Sequence, residues 1–180
     1  MVGILRALEF VHSRGLVHGD LKPENLLVAR DAVRASGENA ELDLSTAIKV
    51  IDFGLTKKEK EFGGKKVFGT SYYIAPETVL GSQIDRRTDL YSIGIVFYQL
   101  LTRKLPFVGD SNLVILKGHL EGKARPPHEV EPTVPRQLSR IVLRLMEKKP
   151  ADRYSCAAEV IRALNEESVS YTHLTLPTQA

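Results

Sequence analysis

Ile4, Leu5, Leu8 and Val11 recur at helical spacing near the start of the chain, which predicts an amphipathic helix that ends with Gly15 as its C-cap and delivers the chain to His18. Two short apolar runs follow, Leu26-Leu27-Val28 and Ile48 to Ile51. They predict two buried strands paired as a small ribbon. The polar stretch between them, roughly Arg30 to Ser45, predicts a surface insertion, tolerated because loop-closure entropy grows only slowly with length. From Thr88 to Leu101 the apolar residues Leu90, Ile93, Ile95, Val96, Phe97, Leu100 and Leu101 fall on nearly every side, the pattern of a buried central helix. Further helices are predicted over Ser111 to Leu120, Gln137 to Glu147 and Ser155 to Asn165, with Pro126, Pro127, Pro132 and Pro135 marking a long loop. The pattern predicts a mainly α-helical unit over residues 1–165, without internal repeats.

Composition narrows the reading. The chain has 180 residues, 43% hydrophobic and 26% charged, enough for one domain with a sizeable core. Its 25 basic and 22 acidic side chains leave a net charge of +3, and no basic stripe interleaves with aromatics, so a nucleic-acid partner is not expected. The Lys57-Lys58-Glu59-Lys60-Glu61 run is expected in a solvated loop. A single cysteine, Cys156, excludes an internal disulfide and a cysteine metal cluster and is expected to be a buried thiol. No apolar run reaches the roughly 20 residues of a membrane span. With no leader-like segment at Met1, the expected setting is cytoplasmic.

Two motifs then add chemistry: His18-Gly19-Asp20-Leu21-Lys22-Pro23-Glu24-Asn25, and Asp52-Phe53-Gly54 behind the second apolar run. Alone, an Asp before Leu-Lys-Pro suits a cap or turn, and Asp-Phe-Gly suits a turn. Together, in this order and each beside a short β-like run, they resemble the catalytic core of the eukaryotic-like (Hanks-type) Ser/Thr protein kinases. Gly69-Thr70-Ser71-Tyr72-Tyr73-Ile74-Ala75-Pro76-Glu77 is similar to the end of a kinase activation segment. Asp89-Leu90-Tyr91-Ser92-Ile93-Gly94 resembles the start of the family's central helix, with Tyr91 where Trp is frequent, and Asp152-Arg153 resembles the late Arg that pairs with the Ala-Pro-Glu carboxylate. The closely spaced charges of Asp85-Arg86-Arg87-Thr88-Asp89 resemble those of bacterial members.

The resemblance implies roles. Phosphoryl transfer needs an oriented nucleophile and neutralised phosphate charge. Asp20 is then the base for an incoming hydroxyl and Lys22 the phosphate clamp. Asn25 and Asp52 are the ligands of Mg²⁺ (or Mn²⁺), with Lys22, Asn25, Leu27 and Asp52 against ATP. Phe53, Gly54, Thr70, Ala75, Pro76 and Glu77 belong to the activation and substrate segment, and His18, Asp89 and Arg153 are structural. Lys22 and Thr70 imply Ser/Thr acceptors on protein substrates. The implied fold is the helical C-terminal lobe of a kinase, with a small β-ribbon carrying the catalytic loop.

The chain also departs from the pattern. Gly19 stands where most members have the Arg that contacts a phosphate on the activation segment, so control by phosphorylation of that loop is not expected. No Gly-rich loop and no Val-Ala-Ile-Lys strand occurs among the 180 residues. The N-terminal lobe is therefore expected to be missing and these residues alone to be nearly inactive. Residues 166–180 are expected to be a non-native or disordered tail, since the stretch after about Ser168 resembles translated sequencing-adapter read-through. A non-catalytic docking or scaffold module is the alternative, opposed by the intact Asp20, Lys22, Asn25 and Asp52.

Overall fold

A computed structural model of the protein describes residues 1–28, 48–52, 57–58 and 71–172. Phe53, Gly54, Thr70 and the polar stretch 30–45 lie outside the described residues. The described elements are mainly helical, with four very short strands. Helix α1 (Val2–His12) buries Ile4, Leu5, Leu8 and Val11, as its spacing requires. It stops at His12 with Ser13 as its C-cap; Gly15 is displaced into the following turn, at φ +67, where its N–H bonds the His12 carbonyl at 3.0 Å. A left-handed φ favours glycine whether it lies at the cap or just after it.

Strands β1 (Leu16–Val17), β2 (Leu26–Val28), β3 (Ile48–Val50) and β4 (Lys57–Lys58) form two antiparallel ribbons. The β2–β3 ribbon pairs Leu26 with Val50 and Val28 with Ile48. It is less buried than its apolar sequence suggests: Leu27 is 49% exposed. Only one face of a two-stranded ribbon meets the helices, so alternate side chains turn outward. Lys57 and Lys58, expected in a solvated loop, instead pair with Val17 and Leu16. Ladder hydrogen bonds use the backbone, so a charged dipeptide serves where a partner strand is offered.

The helices that follow are α2 (Pro76–Val79), α3 (Arg86–Thr102), α4 (Asn112–Glu121), α5 (Pro127–Val130), α6 (Arg136–Leu145) and α7 (Ala157–Thr172). Helix α3 is the core: Leu90, Tyr91, Ile93, Ile95 and Phe97 have no exposed surface. It starts in a capping box, in which the Asp85 side chain accepts the Arg87 N–H and Thr88 Oγ1 accepts the Asp85 N–H. Toward its end Leu100 is 61% exposed, so the last turn is not enclosed as its apolar sequence predicts. Against this core α3 packs on α6, while α1 packs on α7. At Gly94 the approach is so close that a Cβ would lie 2.8 Å from Leu145 Cβ.

The proline-marked loop contains the helical turn α5, with Pro127 in its first turn, where a missing N–H is no loss. Helix α7 runs on to Thr172, past both Asn165 and Ser168. Cys156, expected buried, is partly exposed just before α7. Among the described residues no helix is long and apolar enough to cross a membrane.

Candidate active site

The loop between β1 and β2 is held from below by a buried carboxylate. Asp89, in the first turn of α3, accepts the N–H groups of His18 and Gly19, each at 2.9 Å, and His12 Nε2 donates to it at 2.8 Å. Three converging donors satisfy a carboxylate that has no exposed surface. Gly19 takes φ +77, which suits glycine. His18 is fully buried; its Nε2 donates to the Ile51 carbonyl at 3.0 Å and its Nδ1 accepts the Asp20 N–H at 3.3 Å. That imidazole ties the loop to the end of β3, so the residues before Asp20 and Asp52 share one support.

Above this support Lys22 Nζ lies 2.9 Å from Asp20 Oδ2, both side chains about a third exposed. The Asp20 hydrogen bond chiefly holds the Lys22 ammonium above its ordinary range; partial burial opposes this, and the charges of Asp20, Glu24 and Asp52 add to it. Lys22 is therefore a permanent cation among three carboxylates. Asn25 is buried, and its Nδ2 donates to the Asp20 carbonyl at 2.8 Å, so the side-chain oxygen Oδ1 is its remaining acceptor. Asp52 is exposed and adopts φ +61, a left-handed conformation uncommon outside glycine and costing about 1–3 kcal/mol. Such strain concentrates at functional positions. Leu27 stands half-exposed on the neighbouring strand.

A second cluster holds the segment from Ser71 to Glu77. Ser92 Oγ on α3 donates to the Tyr73 carbonyl at 2.8 Å, and Tyr73 Oη donates to Gln99 Oε1 at 2.7 Å. Ala75 and Pro76 are buried where α2 begins. Glu77 Oε1 and Oε2 meet Arg153 Nη1 and Nη2 at 2.7 and 2.8 Å, and Thr88 Oγ1 also donates to Glu77. The remaining Arg153 donors reach the carbonyls of Arg87, Glu147 and Lys148, so every N–H of the guanidinium fork is used.

Three contributors carry no local sequence signal: His12, Gln99 and His119. His12 lies 77 positions from its partner Asp89. His119, on α4, is completely buried and bonds Tyr91 Oη across 28 positions. Each looks like an ordinary helical residue until the helices are packed.

The sequence model described as the protein kinase domain matches residues 1–164. A probable serine/threonine-protein kinase of Clostridium acetobutylicum is 36% identical over 173 residues, covering 94% of this chain and 24% of the relative. A serine/threonine-protein kinase of Myxococcus xanthus is 40% identical over 162 residues, covering 88% and 22% respectively. One from Mycolicibacterium smegmatis is 33% identical over 160 residues, covering 86% and 23%. The chain thus spans about a quarter of the length of the curated relatives it matches.

Proposed function

The chain belongs to the protein kinase domain family, and from that premise we propose that it supplies the acceptor-side lobe of a kinase transferring the ATP γ-phosphate to Ser or Thr hydroxyls of proteins. The observation that carries this reading is the Asp20–Lys22 pair, fixed beside Asn25 and under the charge of Asp52. Asp20 accepts the proton of the incoming hydroxyl as its oxygen attacks phosphorus. Lys22, already cationic, offsets charge on the transferring group.

The donor set fits Mg²⁺. Asn25 Oδ1 and the Asp52 carboxylate are hard oxygen donors, and no group of three or more His, Cys, Asp or Glu side chains suited to a metal occurs among the described residues. Magnesium usually takes only one or two protein ligands and completes its shell with phosphate oxygens and water. Asn25 and Asp52 would hold the ion, which when bound would neutralise phosphate charge. Mn²⁺ has the same donor preference.

The reading extends to near-inactivity of these 180 residues alone, because no Gly-rich loop and no Val-Ala-Ile-Lys strand occurs among them. In the full-length protein, Asp20→Asn should lower phosphate incorporation into a basic protein substrate by about 10²–10⁴-fold, and Asp52→Asn should abolish it, with far-UV circular dichroism unchanged. Full incorporation by both variants would remove the catalytic reading and leave the docking module.

A further inference from the structure

An open cleft of about 170 Å³ lies where the end of α1 meets the starts of α3 and α7, and no residue given a phosphotransfer role above lines it. Its walls include Glu9 and His12 of α1, Arg86 of α3, Cys156, and Ala157 and Ala158 of α7. A cavity of about 150 Å³ accommodates benzene, so this cleft has room for a group of about seven heavy atoms.

Cys156 is the only thiol among the 180 residues, and it is partly exposed. Beside it the cleft presents polar groups with unmet capacity. The His12 side chain is only 6% exposed. Its Nε2 is spent on Asp89 at 2.8 Å, while its Nδ1 is buried and has no hydrogen-bond partner. With the proton on Nε2, Nδ1 is an acceptor, and a buried acceptor left alone is exceptional. Two unlike charges stand on the same walls, both on exposed residues. Arg86 uses only Nε, on the Ser155 carbonyl at 2.8 Å, and keeps the rest of its guanidinium free. Among the described residues the Glu9 carboxylate enters no hydrogen bond or ion pair.

A thiol beside a buried acceptor, a cation and an anion suits a small zwitterion that carries sulfur. We propose that Cys156 is a site of reversible cysteinylation by the amino-acid disulfide cystine, and that His12 reports the adduct to the loop at His18 and Gly19. The Cys156 thiolate attacks one sulfur of cystine. The cystine S–S bond breaks as a new S–S bond forms to Cys156, and the electron pair leaves with the second cysteine. That cysteine takes up the proton that Cys156 gave to solvent, so the protein thiol is oxidised, one half of cystine is reduced, and no further oxidant enters. Free cysteine reverses the step, and occupancy follows the ratio of cystine to cysteine. In the adduct the bound ammonium group donates to His12 Nδ1 and faces Glu9, while its carboxylate faces Arg86. A donor on Nδ1 strengthens the Nε2 donation to Asp89. The same carboxylate accepts the N–H groups of His18 and Gly19, each at 2.9 Å.

The test uses the 180-residue chain in cystine–cysteine buffers, with the adduct read by intact mass. A single adduct should form, cysteine should remove it, and Cys156→Ser should form none; no adduct in excess cystine overturns the proposal. Dimethyl disulfide, neutral and without a donor, separates a built site from an accessible thiol. Measured against a model thiol peptide, wild type should favour the cystine adduct over the methylthio adduct by about tenfold, the size of one hydrogen bond to a charged group. Arg86→Gln and Glu9→Gln together should erase that preference, with far-UV circular dichroism unchanged. Equal formation of the two adducts, or a preference that survives both substitutions, would reduce Cys156 to an exposed thiol and sink the site. Amide exchange at His18 and Gly19 should slow by about tenfold in the cysteinyl adduct and stay unchanged in the methylthio adduct. Identical exchange in the cysteinyl adduct and the unmodified chain would overturn the report through His12.

Discussion

The Glu77–Arg153 pair tests how much one buried contact matters. Both residues are at least 95% buried and joined through two parallel bonds. Removing one partner leaves a charge with no solvent to stabilise it. Arg153→Met should therefore destabilise the chain by about 3–5 kcal/mol in urea unfolding, and Arg153→Lys should recover only part of this, because a point charge cannot match the two-pronged geometry. A loss below about 1 kcal/mol would place the pair with ordinary surface bridges. His119 gives a pH signature with a definite sign. Its folded pKa, about 4, lies below the ordinary 6.5, so between these values the unfolded chain binds more protons. Its stabilisation is fully present above about 6.5 and is lost as pH falls toward 4. The difference in unfolding free energy between wild type and His119→Gln should shrink across that window; a constant difference would show that the imidazole does not titrate as buried.

At the scale of elements, α3 depends on its start and on one close approach. Asp85→Ala deletes the side-chain half of the capping box and should cost about 1 kcal/mol. Gly94→Ala forces a methyl group toward Leu145 Cβ and Met146 Cγ, at 2.8 and 3.0 Å. It should cost about 1–3 kcal/mol despite alanine's better helix propensity. If Gly94→Ala stabilises thermal unfolding, the α3–α6 approach is looser than described. These two sites also show what periodicity reveals. That α3 exists and is buried was legible, since Leu90, Ile93, Ile95, Val96, Phe97, Leu100 and Leu101 fall on nearly every side. Its exposed Leu100, the helical turn Pro127–Val130 and the pairing of Lys57-Lys58 were not. Each depends on what lies opposite, and local pattern carries no record of the neighbour.

At the scale of the molecule, one hydrophobic cluster among the described residues runs from Ile4 and Leu8 on α1 through α3 to Val142 and Leu145 on α6 and Val160 on α7. Helices sharing one core should unfold together. Urea transitions followed by circular dichroism and by tyrosine fluorescence should coincide, and the slowest-exchanging amides should lie in α3. Separate transitions would divide the lobe into independent units. Residue order alone establishes the helical class, the buried central helix and the chemistry on offer: an Asp, a Lys and an Asn in one loop, with an Asp behind the second apolar run. These are local facts, carried by residue type and by spacing within a turn or a strand. Packing of the helices settles most of the meetings between distant polar groups. His12 reaches Asp89 over 77 positions and His119 finds Tyr91 over 28, whereas the Arg153–Glu77 pair, 76 positions apart, was expected from the resemblance alone. Most buried polar groups find a partner, and which one is set by how the helices pack.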